Sequence, residues 1–169
     1  GVQVGDQVAT MLPRSPELLT IVLATWRIGA VYQPLFTAFG YDSIQYRIDK
    51  ANTKVVFTNQ ENRGKFENLA KQTKMVLVGS KVDAQSWGDD NYADQISTQP
   101  QTAHSQKVPP VLLNTDAPFL QMFTSGTVGK AKGVSVPLSA LSAFYLYMRY
   151  AIDLRADDNY WNMADPGWA

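Results

Sequence analysis

The run Thr124-Ser125-Gly126-Thr127-Val128-Gly129-Lys130-Ala131-Lys132-Gly133 packs three hydroxyls, three glycines and two lysines into ten residues. Glycine lets the backbone curl tightly. Successive N–H groups in such a curl form a concavity that binds anions. Hydroxyls add donors, and lysine adds a compact positive charge suited to phosphate. The chemistry this spacing points to is a polyphosphate cradle, for a nucleotide above all; the alternative is an ordinary Gly/Ser/Thr surface loop.

Two common phosphate loops do not fit. A P-loop needs Ser or Thr after its Gly-Lys pair, whereas Gly129-Lys130 precedes Ala131 and position 124 is Thr. A dinucleotide fingerprint needs G-x-G-x-x-G, whereas the glycines stand at 126, 129 and 133. The flanks differ as well. Phe119-Leu120-Gln121-Met122-Phe123 reads as a short apolar strand, and Gly133-Val134-Ser135-Val136-Pro137 as a second one ending at a proline. The loop is expected to join strand to strand.

That combination resembles the phosphate loop of the adenylate-forming (AMP-binding) superfamily, whose pattern runs Thr-Ser-Gly-Thr-Thr-Gly-x-Pro-Lys-Gly-Val. Thr124, Ser125, Gly126, Thr127, Gly129, Lys132, Gly133 and Val134 match; Val128, Ala131 and Pro137-Leu138 depart. Other segments agree in order: Gly1-Val2-Gln3-Val4-Gly5-Asp6-Gln7-Val8-Ala9, Pro13-Arg14-Ser15-Pro16-Glu17, and Trp26 through Leu35. Within the superfamily, Pro34-Leu35-Phe36-Thr37-Ala38-Phe39-Gly40 and Ala164-Asp165-Pro166-Gly167-Trp168 resemble the acetyl- and medium-chain acyl-CoA synthetase branch. Phe36 stands where many peptide-synthetase adenylation domains carry Asp.

The resemblance implies a two-step reaction, in which a carboxylate attacks the α-phosphorus of ATP and CoA thiolate then displaces AMP. It assigns Thr124, Ser125, Gly126, Thr127, Gly129, Lys132 and Gly133 to the nucleotide phosphates, with Lys132 neutralising charge as pyrophosphate departs. Lys130 occupies a variable position and ranks below Lys132. Asp165, Gly167 and Trp168 are assigned to the acyl region. ATP, Mg²⁺ and CoA are the implied cofactors and co-substrates, with no metal ligand assigned within this chain. Two other readings stay open: a nucleotide-binding module without catalysis, and a structural or interaction domain whose loop binds nothing.

Length and composition set bounds. At 169 residues the chain can bury one sizeable core. Enzymes of the resembled family are far longer, so the chain is expected to be an internal fragment of their large N-terminal domain, inactive alone. Its expected organisation is βαβ-type units over 1–79, a long polar loop over 80–118, and phosphate-loop strands, helix and the start of the acyl segment over 119–169. Fifteen basic and fifteen acidic residues balance, which argues against a nucleic-acid footprint. No apolar run is long enough to span a bilayer. Cysteine is absent, so a disulfide framework and a Cys-based metal site are excluded. The cytoplasm is the expected compartment, and small molecules are the expected partners.

The elements that must position these residues alternate strand and helix, which implies an α/β fold with a mostly parallel sheet. Strands are expected at 7–12, 31–34, 55–58, 75–78, 119–123, 133–137 and 159–163. Ser15 caps a helix with Pro16 first and Glu17 in its first turn, Leu18, Leu19, Val22, Leu23 and Trp26 on its face, and Gly29 as its stop. Further helices are expected from Asp42 or Ser43 with Ile44 and Ile48 on one face, over 62–71, and over 138–150.

The stretch 80–116 lacks periodicity and reads as a surface excursion, or alternatively a lid, pinned by Trp87 and Tyr92. His104 is the sole histidine, which argues against a His-paired triad or multi-His metal site, and it is read as solvated rather than catalytic. Phe144, Tyr145, Tyr147 and Tyr150 are read as packing residues, Arg149 and Arg155 as ion-paired or solvated, and Asp157-Asp158 as a turn.

Overall fold

A computed structural model describes residues 1–69, 73–99, 109–124 and 130–168. Among them, strands β1 (Gln7–Met11), β2 (Val31–Pro34), β3 (Thr53–Thr58), β4 (Lys74–Leu77), β5 (Asp90–Asn91), β6 (Pro118–Thr124) and β7 (Lys132–Pro137) form one sheet in the order β5-β4-β3-β1-β2-β6-β7. Every neighbouring pair is parallel except β6 and β7, which pair antiparallel. The mostly parallel α/β fold expected from the alternation is the fold observed.

Helices α1 (Pro16–Arg27) and α2 (Tyr41–Ala51) cover opposite faces of β1. The period-two alternation of a strand explains the division. Val8 and Leu12 join Leu18, Ile21 and Ala30 in one cluster, while Ala9 and Met11 join Leu35, Ile44, Ile48, Val56 and Phe66 in the other. Central strand β1 is therefore apolar on both sides, as a buried parallel sheet requires. A buried amide ties the layers: Gln33 Nε2 donates to the Arg47 carbonyl (3.2 Å), and Thr53 Oγ1 donates to Gln33 Oε1 (2.6 Å).

Helix α1 starts as its sequence requires. The Leu18 N–H donates to Ser15 Oγ at 3.2 Å, and Pro16 follows the cap. Beyond the helix, Gly29 takes a positive φ of 73°. The buried face differs from the expected one. Leu18, Ile21 and Thr25 are buried, whereas Leu19 and Leu23 stay more than half exposed. This helix is apolar nearly all round, so periodicity admits two faces and the sheet selects the one carrying Ile21.

Other departures have local causes. The helix expected over 62–71 is instead α3 (Gln60–Arg63) followed by a 3₁₀ turn at Gly64–Phe66, with residues 70–72 outside the described set. The stretch 80–116, expected to be irregular, holds α4 (Lys81–Trp87), β5 and α5 (Tyr92–Ser97). Ser80 and Asn91 cap these helices by accepting from the N–H groups of Asp83 (3.1 Å) and Asp94 (3.0 Å). Both helices are too short to show a hydrophobic period. Trp87 and Tyr92 do pin this region: Trp87 Nε1 donates to Gln60 Oε1 (3.1 Å), and Tyr92 meets Phe57 edge-on. His104 lies outside the described residues.

The helix expected over 138–150 is α6 (Ala140–Leu146) running into a π-helical turn at Tyr147–Ala151. Its aromatics Phe144, Tyr145, Tyr147 and Tyr150 are exposed rather than packed. No strand forms at 159–163 among the described residues; Asn162 Oδ1 instead accepts the Ala164 N–H at 2.8 Å. Arg155 pairs with Asp153, and Asp158 accepts the Arg155 N–H (2.8 Å), so Asp157-Asp158 lies in a turn.

Candidate functional site

In an open parallel sheet, ligands bind beyond the carboxyl ends of the strands, where neighbouring crossovers leave in opposite directions. Here that place lies between β1 and β3, because α1 carries the chain from β1 outward to β2 on one face, while the segment after β3 carries it outward to β4 on the other. Three segments gather at this end of the sheet, Pro13-Arg14 after β1, Leu35–Thr37 after β2 and the α3 segment after β3, and β6 ends beside them at Thr124.

The paired strands β6 and β7 bring the two ends of the phosphate-loop motif there. Register pairs Thr124 with Lys132 and Phe123 with Gly133. A Cβ at Gly133 would sit 3.0 Å from Gln121 Nε2 and 3.4 Å from the Phe123 ring, so the cross-strand neighbours leave little room for a side chain. Gln121 also accepts from Ser135 Oγ at 2.7 Å, and Trp26 Nε1 donates to the Phe119 carbonyl at 2.9 Å. The hairpin is thus fixed to α1 and stiffened internally. Thr124 and Lys132 face each other across its end; Ser125, Gly126, Thr127 and Gly129 lie outside the described residues.

Lys130 and Ala131 lean on α2. Lys130 Nζ lies 5.3 Å from the Tyr46 ring centroid, and Tyr46 Oη donates to the Ala131 carbonyl at 3.0 Å. Arg47 lies beneath, buried, with its guanidinium 4.0 Å from the Phe39 ring centroid and 5.6 Å from that of Phe123. Desolvation lowers the Arg47 pKa from its ordinary value.

The second assigned group sits beside the switch point. Asp165, Gly167 and Trp168 pack on the turn that leaves β2. Thr37 Oγ1 donates to Asp165 Oδ2 at 2.6 Å, and Asp165 Oδ1 accepts the Gly167 N–H at 2.7 Å. Trp168 meets Phe36 edge-on at 5.1 Å. A Cβ on Gly167 would overlap the Leu35 carbonyl and the Phe36 nitrogen, so only glycine permits this approach. From the β1 side, Arg14 Nη2 donates to the Ala164 carbonyl. Beside them runs an open groove of about 450 Å³, lined in part by Arg14, Thr37, Asn62, Lys65 and Asp165. Nearby, burial pushes the Tyr32 phenol up, the Thr10 hydroxyl opposes that, and the Asp165 charge adds to it.

Phe36 and the Asp165–Trp168 segment, remote in sequence, are therefore neighbours in space. Sequence reasoning missed Arg14, Thr37 and Tyr46. Arg14 and Thr37 had a signal, since each follows a strand at its carboxyl end. Tyr46 had none, because its role depends on how α2 meets a hairpin almost ninety positions later (|i−j| = 85). Among the described residues no cluster of three or more His, Asp or Glu could hold a metal ion.

Known proteins share this arrangement. An acyl-CoA synthetase from Brucella canis superposes with a TM-score of 0.88 at 43% identity, covering 100% of this chain and 30% of that one. An acetoacetyl-CoA synthetase from Streptomyces lividans shares the fold, with a TM-score of 0.76 at 20% identity over 99% of this chain and 27% of its own. In sequence, the acetyl-coenzyme A synthetase of Bacillus subtilis is 33% identical over 99% of this chain and 28% of its own length. That of Methanothrix thermoacetophila is 32% identical over 99% and 27%. The chain thus spans under a third of each of these four proteins. The family described as AMP-binding enzyme matches residues 1–169, and the chain belongs to that family.

Proposed function

We propose that this chain carries the phosphate-binding hairpin and part of the acyl site of an ATP-dependent acyl-CoA synthetase. The observation that carries the reading is the hairpin itself: β6 and β7 hold Thr124 opposite Lys132 at the edge of the sheet where Arg14, Thr37 and Asp165 also converge. In the first step a carboxylate oxygen attacks the α-phosphorus of ATP, forming acyl-adenylate and releasing pyrophosphate. In the second, CoA thiolate attacks the acyl carbonyl, forming the thioester and releasing AMP.

The first step concentrates negative charge on the leaving pyrophosphate, and N–H donors with a lysine oppose that charge where water is excluded. Thr124, Ser125 and Thr127 with the backbone around Gly126, Gly129 and Gly133 hold the phosphates in this reading. Lys132, rooted on β7, answers the developing charge. Asp165 orients its own segment by accepting from Thr37 and from the Gly167 N–H, which leaves the Trp168 ring against Phe36 as a wall for a small acyl group. The described residues offer no ligand set for Mg²⁺.

The test is carboxylate-dependent ATP–pyrophosphate exchange in the full-length protein and in the 169-residue chain. Exchange by the former and none by the latter is expected, with short and medium aliphatic acids preferred over amino acids. An intact protein that exchanges with no aliphatic, aryl or amino acid sinks the proposal. A strong preference for an amino acid overturns the acyl assignment.

A further inference from the structure

One side chain outside the phosphate-loop motif touches both stems of the hairpin. On β7's side, Tyr46 Oη donates to the Ala131 carbonyl at 3.0 Å and its ring lies 5.3 Å from Lys130 Nζ. On β6's side, the same ring meets Phe123 edge-on at 6.4 Å. These contacts fall immediately before Thr124 and immediately before Lys132. Tyr46 is itself held in place, because Ile44 and Ile48 of α2 are buried in the core and prevent the helix from rolling. Arg47, the next residue, braces the helix by donating from Nη1 to the Ser43 carbonyl at 3.0 Å.

We propose that Tyr46 is a positioning residue for polyphosphate binding: it anchors the two hairpin stems so that Thr124 and Lys132 meet the phosphates without first being ordered. This rests on the function proposed above. Immobilising side chains on binding costs conformational entropy, and holding Thr124 and Lys132 in place beforehand removes part of that cost. Ala131 makes the tether necessary. Proline, the motif's usual residue there, fixes φ through its ring. Alanine has no such restraint, and the Tyr46 hydroxyl supplies one through the carbonyl. The Lys130 ammonium, drawn over the Tyr46 face, is turned to α2, which leaves Lys132 as the lysine at the hairpin's end.

Three full-length variants test this: Tyr46→Phe, which keeps the ring and removes the hydroxyl, Tyr46→Ala, and Tyr46→Phe combined with Ala131→Pro. In pyrophosphate exchange, Tyr46→Phe should raise KM for ATP about three- to ten-fold, the range of one net hydrogen bond. KM for the acid and the melting temperature should hold. Tyr46→Ala should do more, and Ala131→Pro should return the Phe variant toward the parent value. A lowered melting temperature with unchanged KM for ATP, an equal rise in both KM values, or no recovery with proline would each overturn the proposal. Hydrogen exchange at residues 130–132 in the unliganded protein reads the tether without turnover: faster exchange in Tyr46→Phe is expected, and an unchanged rate overturns the proposal. A full-length protein with the tether intact but no exchange activity would instead refute the function proposed above.

Discussion

Lys130 and Lys132 are two residues apart and face different fates. Lys130 is engaged over the Tyr46 ring, while Lys132 opens β7 opposite Thr124. A donor aimed at developing charge is worth about 2.7–4 kcal/mol of barrier. Lys132→Ala should therefore slow acyl-adenylate formation by about one to two decades, with backbone donors preserving the rest. Lys130→Ala should change it several-fold at most. Single-turnover formation of acyl-adenylate in the full-length protein measures both, and a larger loss for Lys130→Ala would mean the phosphates lie elsewhere. Gly167 supplies a steric prediction. Its missing side chain lets Asp165–Trp168 close on Leu35 and Phe36. Gly167→Ala should push the segment off that turn and slow adenylation about ten- to a hundred-fold, the usual cost of misplacing a reacting group by an ångström. A wild-type rate in the same assay would separate that segment from the acyl site.

Among the elements, α3 is joined by a buried ion pair to the link between α4 and β5. Arg63 Nη2 donates to Asp89 Oδ1 at 2.9 Å, Arg63 Nε donates to the other carboxylate oxygen, and the guanidinium stacks 4.8 Å from the Trp87 ring centroid. The two side chains are 9% and 4% exposed. Asp89→Ala would leave the buried guanidinium without its carboxylate and should cost about 3–5 kcal/mol in urea unfolding; replacing both partners with apolar residues should cost much less. A loss below about 1 kcal/mol, the level of a surface pair, would show that the pair is solvated. This contact was invisible in the sequence, because Arg63 ends a helix too short to carry a period and Asp89 lies in the link between α4 and β5. Elements marked by strong local chemistry were legible: Ser15-Pro16 opened α1, Ile44 and Ile48 faced the core, and the alternation around 119–137 announced the hairpin. The strand expected at 159–163 failed because a strand needs a partner edge, which local sequence does not reveal. Site residues divided the same way. Resemblance nominated Thr124, Lys132 and Asp165 as candidates, but Thr37 and Tyr46 became candidates only when the sheet brought distant segments together.

Across the whole molecule, burial is uneven. The core lies under α1 and α2, while the chain from α6 onward presents Phe144, Tyr145, Tyr147, Tyr150, Trp161 and Met163 to solvent, the last two at 77% and 80%. Exposed apolar surface on this scale marks a place where another surface belongs. The isolated 169-residue chain should bind a hydrophobic dye such as ANS and associate with rising concentration in sedimentation velocity. Serine at Tyr150, Trp161 and Met163 together should weaken both. A monodisperse chain that does not brighten the dye would mean that these side chains cover one another in solution.

The strand order has a consequence for how the chain is made. Strand β2 ends at Pro34, yet its outer neighbour β6 begins only at Pro118. Strands β1, β3 and β4 can assemble as they leave the ribosome, but the far edge of β2 must wait for its partner. At about 5–20 residues per second the wait is roughly 4–17 s. Through that interval Val31 and Tyr32 lie on an open edge, the kind of template on which nascent chains pair with one another. Synthesis paused between the codons for Pro34 and Pro118 would hold the chain at its most adhesive moment. Chaperone demand should peak there and fall once the hairpin closes the edge.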